Sequence, residues 1–96
     1  MNVYKSLERM KRRLMKISYE LFGIKTFTKL SSFQVALCGL LEDEVGKRVE
    51  DFTDEDVRKH AYDYAIWKTC RKLCDVYTSL VELKAFELRD MFENKG

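Results

Sequence analysis

The sequence predicts an all-α protein, a small bundle of three long helices, or of four if the third helix is broken. The chain has no proline and only four glycines, so the residues that usually interrupt helices and shape turns are scarce. Apolar residues make up 46% and charged residues 35% of the chain, a composition typical of a folded globular protein. With 96 residues, the chain has room for one domain, and we expect a single helical domain over residues 1–96.

The first helix is predicted over about residues 2–22, with Asn2 as its N-cap and Gly23 at its end. Its apolar residues recur at alternating intervals of four and three, the heptad pattern of a helix that packs lengthwise along a neighbour. These residues, called the apolar seam below, are Val3, Leu7, Met10, Leu14, Ile17 and Leu21. The seam covers less than about a quarter of the circumference, so we expect one or two neighbouring helices.

Three β-branched residues and an alternating pattern at residues 24–30 allow a short extended segment. A lone strand would have nothing to pair with except a second copy in a dimer, so residues 23–31 are predicted to form an irregular connector. The second helix is predicted over residues 32–51, since Ser31 and Gln34 have the spacing of a capping box. Its N-terminal half is apolar on nearly every side, which is typical of a helix at the centre of a bundle. Gly46 would lie inside this helix and weaken it by about 1 kcal/mol relative to alanine.

The third helix is predicted over residues 54–94, with Thr53 and Asp56 forming a capping box at its start. The apolar face changes direction near residues 64–66, so the helix either breaks there or contacts two different partners. A further capping-box spacing that begins at Ser79 allows a second break.

An unbroken third helix is too long for a compact monomer. The stretch from Ile66 to Phe92 would extend about 40 Å, whereas a compact domain of this size has a radius of gyration of about 13 Å. We therefore predict a homodimer in which a second copy covers the protruding end. The candidate interface residues are Leu83, Phe86, Leu88, Met91 and Phe92.

Charge is distributed unevenly along the chain. Residues 1–30 carry eight basic and two acidic side chains, a net charge of +6, whereas residues 31–60 carry four and eight, a net charge of −4. Two explanations stay open: the first helix lies near the acidic second helix, or it meets an anionic partner outside the molecule.

Most basic residues of the first helix lie on one side, opposite the apolar seam. This surface, called the cationic edge below, consists of Lys5, Arg9, Arg12, Arg13, Lys16 and Tyr19. It could dock on an acidic protein groove, follow the phosphate backbone of DNA or RNA, or be an ordinary solvated face. The pI of about 8.4 is below that of a dedicated nucleic-acid binder, and no helix-turn-helix, zinc-finger or RNA-binding aromatic motif is present.

The cysteines and the histidine are weak candidates for chemistry. Cys70 and Cys74 lie one helical turn apart and could bind a metal ion together with Cys38 and His60. Both lie on the apolar face of the third helix, however, so we interpret them as core residues. We interpret His60 as a surface or helix-capping residue, because no catalytic partner stands near it in the sequence.

The acidic clusters at residues 42–44 and 54–56 lack the alternating ligands of a calcium loop, and no glycine-rich phosphate loop occurs. No apolar run is long enough to cross a membrane. We therefore expect a cytoplasmic protein without catalytic residues, metal, cofactor or small-molecule substrate. The sequence favours a non-enzymatic interaction module that presents the cationic edge to a partner protein; the alternative is a small DNA- or RNA-associated protein that contacts phosphates through the same edge.

Overall fold

A computed structural model describes residues 3–93, without the side chains of residues 3, 4, 87 and 90–93. Over this range the protein is all-α, as predicted, and contains no β-strand. The elements are α1 (Val3–Phe22), α2 (Phe27–Val45), a 3₁₀ turn (Val49–Asp51), α3 (Asp54–Lys59) and α4 (Ala61–Glu93).

The long helix α4 is the element on which the other helices pack. Both α1 and α2 contact α4 more extensively than they contact each other. They run antiparallel to it: Glu8 of α1 meets Lys84, while α2 begins with Phe27 over Tyr77 and ends near His60. Because α2 begins at Tyr77, α1 is the only described helix beside the part of α4 that follows Tyr77.

The expectation that α2 is the central helix is wrong. Leu30 and Leu41 are buried, but Val35 and Leu40 on other sides of the helix are exposed. Apolar residues on all sides of a helix allow burial on every side but do not require it. Among the described helices, α2 packs mainly against α4, so only one of its faces is covered.

The core lies where the end of α1, the start of α2 and the middle of α4 meet. Leu30, Cys70 and Cys74 form its buried centre, and partly buried aromatic and aliphatic side chains surround them. Gly23 ends α1 in the left-handed region, with φ of 69°, and the chain then turns back so that the fully buried Ser18 Oγ donates a hydrogen bond to the Ile24 carbonyl oxygen at 3.0 Å.

The second helix starts earlier than the sequence predicts. The connector expected over residues 23–31 is only residues 23–26, because Thr26 is the N-cap and its side chain accepts a hydrogen bond from the Lys29 amide. Residues 27–31 are therefore helical, and Gln34 is buried inside α2 rather than placed at its first turn. The capping-box spacing that begins at Ser31 was misleading.

The second helix also ends earlier than predicted, at Val45 rather than at residue 51. Gly46 adopts a left-handed conformation with φ of 77°, and its amide donates to the Glu42 carbonyl oxygen. Gly46 is thus the residue that terminates α2, since glycine adopts this conformation without a steric penalty. Residues 49–51 form the separate 3₁₀ turn.

The predicted capping box at Thr53 and Asp56 is present, but the helix it starts is only six residues long. His60, with φ of −119° and ψ of 34°, separates α3 from α4. The break therefore falls a turn before residues 64–66, and α4 is continuous through Ser79. The molecule is elongated, with a radius of gyration of 17.1 Å and a longest extent of 56 Å.

None of the described helices combines the length and the apolarity that a bilayer-spanning segment requires.

Candidate partner-binding surface on α1

The apolar seam of α1 is divided by its contact with α4. Leu7 and Leu14 are 5% and 6% exposed, so they pack against α4, together with the buried Ser18. The other described members are half exposed: Met10 at 50%, Ile17 at 45% and Leu21 at 57%. Leu7, Leu14 and Leu21 belong to one line of the heptad pattern, and Met10 and Ile17 belong to the other. The contact with α4 buries Leu7 and Leu14, whereas Leu21 and the second line stay at the surface.

The cationic edge faces away from α4. At about 100° per residue, Arg9 and Lys16 lie on the side of α1 opposite Leu7 and Leu14. The structure exposes every predicted member of the edge: Lys5, Arg9, Arg12, Arg13, Lys16 and Tyr19. The basic side chains extend over about 16 Å along the helix.

Most of the charge on this edge is not neutralised within the molecule. Arg12 Nε lies 3.5 Å from the Glu8 carbonyl oxygen, and the Lys25 ammonium lies 5.3 Å from the centre of the Tyr19 ring. The remaining members form no ion pair with any carboxylate that the structure describes; these are Lys5, Arg9, Arg13 and Lys16.

The acidic segment does not compensate for this edge. Two of its carboxylates are engaged within the segment itself: Glu42 accepts from the Val49 amide at 2.9 Å, and Asp56 accepts from Lys47 at 2.9 Å. Among the described ion pairs, none joins α1 to residues 42–56. The described ion pairs therefore do not support the explanation by internal pairing between the first and second helices.

One ion pair does fasten α1 to α4, and it uses the only acidic residue in the first half of α1. Glu8 pairs with Lys84 and lies 3.7 Å from Lys11. The hydrogen bond from Lys84 lowers the pKa of the Glu8 carboxyl below its usual range, against the opposing effect of desolvation. This pair joins α1 to α4 through side chains that are both partly exposed, so its contribution to stability is modest.

Three of the predicted interface residues of α4 have described side chains, and these three do not share one direction around the helix. Leu83 and Phe86 are exposed on neighbouring directions, 52% and 62% respectively. Leu88 projects about 140° from Leu83 around the helix. It points to the same side of α4 as α2, but α2 covers that side only before Tyr77. Met91 and Phe92 lie outside the described side chains.

The cysteines predicted to be core residues are buried, Cys70 completely. Desolvation, with a smaller effect of Cys74, raises the pKa of the Cys70 thiol to about 11, so it is held as a neutral thiol. Burial and then the Glu42 carboxylate raise the pKa of the Cys38 thiol. Among the described residues, no three His, Cys, Asp or Glu side chains converge as a metal site would require.

His60 has a partner that sequence reasoning missed. Its Nδ1 lies 3.3 Å from Glu44 Oε2, which connects the end of α2 to the junction of α3 and α4. The two residues are far apart in sequence, and their proximity depends on the end of α2 at Gly46. We assign the contact a structural role, because it braces the turn between the helices.

The exposed set of Met10, Ile17 and Leu21 is the surface feature that sequence reasoning assigned wrongly, by treating the whole seam as one packing edge. The heptad pattern did contain the signal for Met10 and Ile17, since its two lines can face two different neighbours. It contained none for Leu21, which shares the line of the buried Leu7 and Leu14. No known protein family, curated protein or solved structure gives a significant match to this chain.

Proposed function

We propose that this protein is a non-enzymatic interaction module that binds a negatively charged surface of a partner protein through the cationic edge of α1. The observation that carries this proposal is the exposure of Lys5, Arg9, Arg13 and Lys16 without any described carboxylate partner. Like charges four residues apart destabilise a helix, and this edge contains such pairs in succession. Carboxylates of a partner would relieve that repulsion.

The apolar residues beside the cationic edge favour a protein partner over a nucleic acid. Met10 and Ile17 are half exposed next to Arg9 and Arg13. A phosphate backbone offers nothing apolar to such side chains, whereas protein interfaces combine an apolar centre with a charged rim. The nucleic-acid alternative requires only the charges and leaves the apolar residues uncovered.

Affinity capture with matched variants tests this proposal. The wild-type protein and the triple variant Arg9→Gln, Arg13→Gln, Lys16→Gln serve as baits in an extract of the parent organism at about 0.15 M salt. The control variant removes equal charge elsewhere, through Lys29→Gln, Arg48→Gln and Arg58→Gln. One protein captured stoichiometrically by the wild type and the control, and lost with the triple variant, supports the proposal.

Two results overturn it. The first is an identical set of captured proteins for all three baits. The second is binding to a random DNA duplex that depends steeply on salt concentration and is weaker for the triple variant. That result would mean that the cationic edge contacts phosphates of a nucleic acid.

Self-association belongs to the same proposal, at a different place on the surface. The chain exposes 7353 Å², whereas a compact monomer of this mass exposes about 5,800 Å². The stripe of Val81 and Leu88 on α4 lies beyond the start of α2, and we assign it to contact with a second copy. Sedimentation equilibrium at micromolar concentration is the test; a monomer of 11.4 kDa contradicts this assignment.

A further inference from the structure

A second apolar stripe runs along α4 beside the exposed line of α1. Ala65, Thr69, Val76 and Leu83 are all exposed, and at about 100° per residue they fall within roughly 40° of one another around the helix. The stripe extends about 27 Å. This is the length over which an α-helix of about 18 residues could lie against it.

The two apolar lines lie on the same side of the contact between α1 and α4. Leu21 borders a shallow depression together with Tyr62, Ala65 and Thr69. The opposite side of the contact shows different residues, where Lys11 and Met15 border Tyr77. We call the side with the apolar lines the α1–α4 groove; it is formed by Met10, Ile17, Leu21, Ala65, Thr69, Val76 and Leu83.

Both borders of the groove are basic. On α1, Arg13 and Lys16 surround a depression at Ile17, in which Glu20 is the only acidic neighbour among the described lining residues. On α4, the exposed Lys72 lies at the outer margin of the stripe. Lys68 lies further round the helix, beside the exposed Asp75, and its ammonium is 5.7 Å from the centre of the Tyr64 ring. The groove therefore has an apolar floor between two cationic margins.

The positive charge of these borders favours a different protein over a second copy of this chain as the occupant of the groove. A two-fold axis lying in the groove would set α1 against α1, or α1 against α4, and in either arrangement basic borders would face basic borders. Like charges brought together at an interface oppose association. An acidic amphipathic helix avoids this repulsion, because its apolar face fills the groove while its carboxylates meet the borders.

We propose that the α1–α4 groove binds an amphipathic helix of the partner protein, with acidic residues on both sides of its apolar face. The inference rests on the proposed function, because Arg13 and Lys16 belong to the cationic edge. It adds the occupant's secondary structure, its apolar face and the place where it lies.

Three synthetic helical peptides of about 21 residues separate this inference from simple charge attraction. The first has leucine at the heptad core positions and glutamate beside them. The second has lysine in place of glutamate, and the third keeps glutamate but has serine in place of leucine. By fluorescence anisotropy at about 0.1 M salt, we expect the first peptide to bind at least about ten-fold tighter than either of the others.

Equal binding of the glutamate peptides with leucine and with serine overturns the groove inference while leaving the proposed function intact. Failure of all three peptides to bind overturns the groove inference, and the capture experiment then decides the proposed function by itself. Preference for the lysine peptide contradicts both.

Matched variants locate the binding site. Ile17→Asp places a carboxylate on the groove floor, and Val35→Asp places one on the exposed outer side of α2; both residues are solvent-accessible, and circular dichroism verifies that each variant is folded. We expect Ile17→Asp to weaken binding of the leucine–glutamate peptide about ten-fold and Val35→Asp to change it less than about two-fold. Equal effects overturn the inference. So does conversion of a dimer to a monomer by Ile17→Asp alone, because the groove would then hold a second copy.

Discussion

The ring of Phe27 stacks on the ring of Tyr77, with centroids 4.2 Å apart and planes inclined by 11°. Phe27 is the first residue of α2 and Tyr77 lies near the middle of α4, so this stack sets the point from which α2 covers α4. Lys11 of α1 lies over the Tyr77 ring from another direction, 5.3 Å from its centre. One tyrosine thereby connects all three long helices.

Removing the Phe27 ring should destabilise the protein substantially. Phe27→Ala deletes a partly buried aromatic side chain at the core margin, and we expect the free energy of unfolding to fall by about 2–3 kcal/mol. Tyr77→Phe keeps the stack and should change it by less than about 0.5 kcal/mol. Urea unfolding followed by circular dichroism measures both. A negligible effect of Phe27→Ala would show that residues 27–31 form the loose connector suggested by the sequence.

Replacing Gly39 inside α2 and Gly46 at its end by alanine should change the free energy of unfolding in opposite directions. Gly39 is inside the helix with open space around it, so Gly39→Ala should raise the free energy of unfolding by about 0.5–1 kcal/mol. Gly46 has φ of 77°, so Gly46→Ala should lower it by about 1 kcal/mol. Thermal unfolding of the two variants checks the signs. Stabilisation by Gly46→Ala would mean that α2 continues through this position.

The capping box of α3 should give the protein an acid-sensitive element. Hydrogen bonds from the Thr53 amide and from Lys47 lower the pKa of Asp56 from 3.8 to about 2. A depressed pKa in the folded state stabilises the protein above the unfolded value of 3.8, and this stabilisation is lost as pH falls from about 4 towards 2. We expect the stability difference between wild type and Asp56→Asn to shrink over this interval.

Urea titrations at several pH values measure that difference. Asp43→Asn, which removes an exposed carboxylate outside the capping box, is the control. A difference between wild type and Asp56→Asn that does not change from pH 5 to pH 2 would contradict the assigned role of Asp56.

The three cysteines should differ in their reactivity. The pKa values of all three thiols are raised, but Cys70 and Cys74 are buried whereas Cys38 is only partly buried. Because the reagent must reach the sulfur, we expect Ellman's reagent to label Cys38 first and the other two only when the protein opens. Cys38→Ser should remove the early phase. Equal rates for all three thiols in the folded protein would contradict the core described above.

Local chemistry explains which parts of the fold could be predicted from the sequence. Gly23 and the pair of Thr53 and Asp56 act through their nearest neighbours along the chain, so their roles were predicted correctly. The start of α2 was predicted wrongly, because the spacing at Ser31 is only a local signal, whereas the observed start at Thr26 accompanies the packing of Phe27 onto α4. The break at His60 likewise has no strong local signal.

The candidate site likewise combines features that could be predicted from the sequence with features that depend on tertiary packing. Exposure of the cationic edge follows from its position opposite Leu7 and Leu14. The groove could not be predicted, because the separation of Met10 and Ile17 from the buried line of the seam depends on how α1 is rotated against α4. Tertiary packing, and not the heptad spacing, determines which half of the seam is available to a partner.

Nuclear magnetic resonance of the ¹⁵N-labelled protein during titration with the leucine–glutamate peptide tests the central claim most directly. We expect the shifting backbone amides to cluster at residues 10–21 of α1 and 65–83 of α4, while the outer side of α2 around Val35 remains unchanged. Shifts confined to α2 and α3, or spread evenly over the molecule, would contradict a binding site between the cationic borders of α1 and α4.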